Sequence, residues 1–127
     1  MEEKSVFLER EGYTPKNKVL DFLIIAQDFD YSLKEIAKNS MVSYPCIKQL
    51  KKELVNNKWI TLIRKVGKAQ MYKLNLKSKK VQKFVDFYWV VVNEEVEKKL
   101  GIKEEEKRSL HHSSSINAMP VSAKHIF

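Results

Sequence analysis

Apolar residues recur at three and four positions through Val19, Leu20, Phe22, Leu23 and Ala26, the spacing of an amphipathic helix. Thr14-Pro15 supplies its start: a side-chain oxygen as N-cap, then a proline at the first helical position. This helix is expected to reach about Gln27, where Asp28-Phe29-Asp30 breaks it. SLKE at 32–35 then has the form of a capping box and opens a short helix with Leu33, Ile36 and Ala37 facing inward. Asn39-Ser40 ends that helix. Ser43 caps a third one, which runs to Asn56 and stops at Asn56-Asn57.

The period then changes from helical to alternating. WITLIRKV and QMYKLNL are two β-rich runs joined by Gly67-Lys68-Ala69, which reads as a hairpin with Ile60, Leu62, Tyr72, Leu74 and Leu76 inward. From Ser78 to Leu100 there is neither Gly nor Pro, and Val81, Phe84, Val85, Tyr88, Trp89, Val92, Val96 and Leu100 return to helical spacing. One long helix stopped at Gly101 is therefore expected. Residues 1–12 carry only the patch Val6-Phe7-Leu8 and read as a loose arm or a short docking helix, and the aperiodic stretch 101–127 as a disordered tail. The fold class is mainly α with a small β-hairpin: an arm at 1–12, a compact domain at 13–77 and a helix at 78–100.

Composition narrows the class. With 127 residues, one domain plus extensions is expected, and 3 Gly with 3 Pro leave few sharp turns, which favours helices over a many-stranded sheet. A single cysteine makes no internal disulfide, which fits a reducing cytoplasm. MEEKSVFLER lacks a basic start followed by an apolar stretch, so no signal peptide is expected, and FYWVVV is far shorter than the roughly 20 residues of a membrane span.

Net charge is +8, and its distribution is the stronger signal. Between Ser43 and Lys83 lie 12 of the 24 basic residues and, in Glu53, 1 of the 16 acidic ones. Segregation this sharp inside a folded stretch marks a surface for a polyanion. On a helical wheel the third helix gathers Ile47, Leu50, Leu54 and Ser43 on one side, with Pro45, Lys48, Gln49 and Lys52 opposite and Tyr44 at the margin. Such a helix fits a DNA major groove about 12 Å wide, with Gln49 able to pair with adenine, Lys48 with guanine, and Lys51 or Lys52 with phosphate. A lysine-rich outer face is also what any solvated helix shows. Arg64, Lys65 and Lys68 around the hairpin turn, with Gln70 beside them, add a second contact to phosphate or minor groove. Edge lysines that keep a hairpin soluble are the plainer reading.

Enzyme chemistry has little to build on. Cys46 needs a base within hydrogen-bond reach to act as a nucleophile, whereas His111, His112 and His125 all lie in the tail. The wheel turns Cys46 about 70° from the centre of the apolar face, where a small thiol packs; its place near a helix start leaves a redox-sensing role open. His111-His112 with His125 matches no zinc spacing, Glu104-Glu105-Glu106 reads as solvated charge, and KVGKA is no phosphate-cradling loop. No catalytic residue, metal or cofactor is expected.

The order of helix, helix, helix, basic hairpin and long helix resembles the winged helix-turn-helix family, above all the small dimeric transcription regulators of the MarR, PadR and ArsR type. LKEIAKNSMVSYPCIKQLKKEL carries the two helices and turn, and NNKWITLIRKVGKAQMYKLN the wing. The resemblance covers residues 15–76 and implies a homodimer that places two recognition helices on half-sites about 34 Å apart. The family often has Gly where this chain has Met41 and Lys58; Asn39 and Asn57 are expected to take over that left-handed geometry. Val85, Tyr88, Trp89, Val92 and Val96 are the expected dimer surface, since they exceed what one core-facing stripe needs. A fold-back of this helix within one chain is the alternative. The expected function is sequence-specific binding of double-stranded DNA by Ser43, Tyr44, Pro45, Lys48, Gln49, Lys51 and Lys52 of the helix and Arg64, Lys65, Lys68 and Gln70 of the wing. A protein-interaction module, or a plasmid or virus replication or partition protein, would use the same surface.

Overall fold

A computed structural model describes residues 5–101. Eight elements follow in order: α1 (Val6–Glu11), α2 (Pro15–Ile25), β1 (Tyr31–Ser32), α3 (Leu33–Ser40), α4 (Tyr44–Asn56), β2 (Ile60–Val66), β3 (Ala69–Leu74) and α5 (Lys79–Leu100). The helix starts are those the capping residues announce. Thr14, Ser32, Ser43 and Ser78 each accept a hydrogen bond from a backbone N–H of the helix they open, and Ser32 with Glu35 closes a reciprocal box.

Val19, Leu20, Leu23 and Ile24 make α2 the centre of the core, with Ile36, Ile47, Leu54 and Val81 packed around it. The first segment is the docking helix of the two alternatives: Phe7 is 1% exposed and its ring meets Phe84, Phe87 and Tyr88 at 4.8–6.3 Å between centroids. Arg10 extends that contact, reaching Glu94 at 3.5 Å and Glu95 at 3.4 Å on α5.

The sheet has three antiparallel strands in the order β1-β3-β2, one more than the hairpin expected. Two residues, Tyr31 and Ser32, pair with Tyr72 and Met71, too short a run to show a period of two. Only Ile60, Tyr72 and Leu74 of the expected inward set are buried; Leu62 is 50% and Leu76 40% exposed. Leu76 lies past the end of β3, and the register of β2 against β3 slips only after Leu62, between Leu62 and Arg64. Trp59, just before β2, fills the place beside Phe84 with ring centroids 5.1 Å apart. The hairpin turns on Gly67-Lys68, with Val66 paired to Ala69 and a φ of 60° at Gly67.

Met41 and Lys58 adopt the left-handed conformation themselves, with φ of 62° and 65°. Neither asparagine takes over. Asn39 stays helical and bonds the Glu35 carbonyl at 2.8 Å, and Asn57 has a φ of −94°. The backbone N–H groups explain the geometry: Met41 closes on the Ala37 and Lys38 carbonyls, and Trp59 N–H returns to the Leu54 carbonyl at 2.8 Å. Those closures set the position of the left-handed residue whatever its side chain.

Gly101, with a φ of 72°, terminates α5 as expected. The remainder of the tail, with Glu104 to Glu106 and the three histidines, lies outside the described residues.

Candidate nucleic-acid interface

Ser43 starts α4 by accepting the Cys46 N–H on its hydroxyl at 3.2 Å, and Pro45 sits in the first turn. Ile47 and Leu54 are buried and Leu50 packs against the core, which rotates Tyr44, Pro45, Lys48, Gln49 and Lys52 outward; Lys51 is half-buried at the edge. The wheel reading therefore describes the faces through Ile47, Leu50 and Leu54 and their opposite side, while Ser43, which it grouped with the apolar side, is exposed. Cys46 is partly buried, with its thiol free of any disulfide.

Tyr44 organises the outer face. The ammonium of Lys48 lies 5.4 Å and that of Lys34 5.9 Å from the centre of its ring, a distance at which the π-face attracts a cation. Lys34 stands in the first turn of α3 and was not among the candidates. Its only sequence signal is a cation two positions after a helix-capping serine.

The wing completes a groove. Ser32, Leu33 and Lys34 of the α3 start, Tyr44 of α4, and Lys65, Lys68, Ala69, Gln70 and Tyr72 of the hairpin line one open depression of about 540 Å³. Lys65 and Lys68 are exposed on its rim. Gln70 is held by the Tyr72 hydroxyl, which donates to its Oε1 at 3.0 Å and leaves its amide NH2 for an outside partner.

Arg64 sits differently from the other wing cations. Its Nε and a terminal nitrogen donate to the two oxygens of Asp30 at 2.7 and 3.2 Å. That pairing, through the hydrogen bonds first, holds the Asp30 carboxyl below the usual carboxylate value and raises Arg64. Arg64, grouped with Lys65 and Lys68 around the hairpin turn, differs from them in having a carboxylate partner within the chain, while its side chain stays 59% exposed. Its fork is engaged inside the chain and braces β2 against the loop that leads into β1.

The expected dimer residues divide. Tyr88 is buried at 3% exposure, on the same helical face as Val81, Phe84 and Val91, and its hydroxyl donates to Asp21 at 2.7 Å. It is core, not outer surface. Val85 and Val92 are half-buried against the core, while Trp89 and Val96 are 43% and 44% exposed; Phe87 and Val90 add exposed apolar area that the expected set omitted.

Among the described residues no group of three or more His, Cys, Asp or Glu could hold a metal ion, and no helix is long and apolar enough to cross a membrane.

No family model and no curated protein sequence matches the chain. Solved structures do. The chain is similar to MepR, a transcription regulator of the Staphylococcus aureus multidrug efflux pump MepA, with 16% identity and a TM-score of 0.57 over 85% of this chain and 78% of that one. A MepR variant bound to an oligodeoxyribonucleotide matches with 17% identity and a TM-score of 0.56 over 87% and 81%. A homodimeric winged helix-turn-helix DNA-binding domain from Mycobacterium bovis, a possible ArsR-family transcriptional regulator, matches with 18% identity and a TM-score of 0.50 over 65% and 71%. The three-helix core, basic wing and long closing helix of this chain thus form the winged helix-turn-helix fold seen in transcription regulators.

Proposed function

We propose that the protein is a homodimeric, sequence-specific binder of double-stranded DNA that acts in the cytoplasm as a transcription regulator. The observation that carries this reading is the groove in which Tyr44 of α4, Lys34 of α3 and Lys65 and Lys68 of the wing face the same side. Asp30 beside the wing is taken by Arg64, and Glu35 at the start of α3 accepts the Ser32 N–H. Lys34, Lys65 and Lys68 are then the charges an outside anion meets along this groove. Tyr44, Pro45, Lys48 and Gln49 on the first turns of α4 read base edges in the major groove, while Lys52, Lys65 and Lys68 take phosphates. Ser43 shapes the start of that helix and Lys51 supports its flank. Val85, Trp89, Val92 and Val96 line one stripe of α5 that is apolar and not fully covered, which supports pairing with a second copy. The solved neighbours that are homodimeric or bound to an oligonucleotide support the same reading.

The test is a selection of preferred duplexes followed by titration of variants. Lys68→Ala is expected to weaken every duplex alike and to reduce the salt slope by about one unit. Gln49→Ala is expected to relax preference at one base position, by about 1–3 kcal/mol. Failure of the wild-type protein to favour any duplex over another would overturn the sequence-specific reading.

A further inference from the structure

A second basic surface lies at the opposite end of the same domain. The start of α2, the end of α4 and the start of α5 meet at Trp59. The ammonium of Lys16 lies 4.9 Å and that of Lys80 4.4 Å from the centre of its ring, and Lys80 also donates to the Asn57 carbonyl. Asn75 stitches the connection to α5 onto this point, its backbone N–H bonding the Trp59 carbonyl at 2.9 Å and its side chain the Lys58 carbonyl at 3.2 Å. Lys58 directly precedes Trp59, the Lys77 N–H bonds the Asn75 side chain at 3.3 Å, and Lys79 and Lys83 share the start of α5 with Lys80; all four lysines are exposed. Lys79 and Lys83 stand one helical turn apart on α5.

Acids are few beside these lysines. From Lys58 to Lys83 the chain contains no Asp or Glu; Glu53 lies 3.9 Å from Lys16, and Asp86 follows Lys83 by three positions on α5. Lysines in such excess over acids repel one another, and a polyanion lying over them would offset that cost.

The position decides which polyanion. α4 has 13 residues, so roughly 20 Å separates Tyr44 from the Asn57 end. β2 has 7 residues and runs about 23 Å from Ile60 to the wing tip. With its first turns in a groove about 8.5 Å deep, α4 holds its far end clear of that duplex. The lysines there are point charges without guanidinium forks, and Trp59 is covered, with no exposed ring for a base or an apolar side chain to stack on. Such a surface suits the phosphate backbone of duplex DNA and carries no base readout.

We propose that this surface, Lys16, Lys58, Lys77, Lys79, Lys80 and Lys83, holds the backbone of a second DNA segment while the wing and α4 hold the first. The protein then bridges two duplexes in addition to occupying one. This inference rests on the DNA-binding reading above.

A bead-immobilised duplex carrying the selected site, saturated with protein, is offered a fluorescent duplex of unrelated sequence. Retention is expected with the wild-type protein. In the variant Lys77→Ala/Lys79→Ala/Lys83→Ala it is expected to fall, with a salt slope shallower by about three units, while affinity for the immobilised site stays within about twofold. Lys68→Ala is expected to lower binding to the immobilised site. Loss of protein from the beads in the wild type defeats the DNA-binding reading itself. Protein retained without the second duplex, or equal retention by the triple variant, overturns the bridge alone. So does a triple variant that weakens binding to one long duplex as much as bridging, since the same duplex would then wrap to this end. Capture of labelled polyglutamate in place of the second duplex would overturn it in favour of an acidic protein partner.

Discussion

Arg64 and Asp30 face each other across the root of the wing, two nitrogens on two oxygens at 2.7 and 3.2 Å. A planar guanidinium bonded through two nitrogens of one edge fixes orientation as well as distance, so the hairpin is held at one angle to the body. The pair separates two roles that charge alone leaves merged. If Arg64 is a brace, Asp30→Asn loosens the wing and lowers DNA affinity. If Arg64 serves DNA directly, the same change frees it and raises affinity. The expected outcome is a loss of a few-fold, measured by fluorescence anisotropy on the selected duplex, with Arg64→Ala giving a loss at least as large.

Acid should release the same brace. Arg64 holds the Asp30 carboxyl below its ordinary value of 3.8, so the stabilisation is fully present above that pH and lost as pH falls through the lowered value in the folded protein. Unfolding followed by fluorescence below pH 4 should show a pH dependence that is shallower in Asp30→Asn.

The buried bond from Tyr88 to Asp21 ties α5 to α2, and Ser5 donates to the same oxygen at 2.8 Å. Tyr88→Phe removes one donor from a buried carboxylate and should cost about 1–3 kcal/mol in urea denaturation. Burial first, and the Asp21 bond second, push the Tyr88 hydroxyl above its ordinary value of 10.0. This contribution is complete below pH 10 and is lost as pH rises above it, a slope that Tyr88→Phe should remove.

Met41 and Lys58 sit in left-handed geometry without being glycine. That conformation costs an L-residue roughly 1–2 kcal/mol, against about 0.5–1 kcal/mol for the added freedom of an unfolded glycine. Met41→Gly and Lys58→Gly should each raise stability by about 0.5–1 kcal/mol. A drop in melting temperature for both would contradict this account of the turns.

Trp89 and Val96 are the exposed positions of the α5 stripe. Trp89→Glu/Val96→Glu should sediment as a monomer with its helical content intact. Its affinity for a two-half-site duplex should fall by about 100-fold, the lower end of what linking two sites contributes. Unchanged sedimentation would place the dimer contact elsewhere.

The sequence by itself determined the helices from Pro15 onward, their N-caps and the faces of α4. These are local matters: a serine oxygen reaches an N–H three residues on, and a period near 3.6 declares a buried stripe without reference to the rest of the chain. The charge segregation between Ser43 and Lys83 was equally plain, because it needs only counting. Tertiary structure alone decided how those charges divide, since Lys34 and Tyr44 meet only when α3 and α4 pack, and Arg64 meets Asp30 only when the wing folds back. It also decided that Tyr88 belongs to the core, that Leu62 stays exposed, and that Lys16 joins Lys80 on Trp59. Each is a contact between residues far apart in the chain. Periodicity assigns a residue to a face of its own element, and the fold chooses what that face meets.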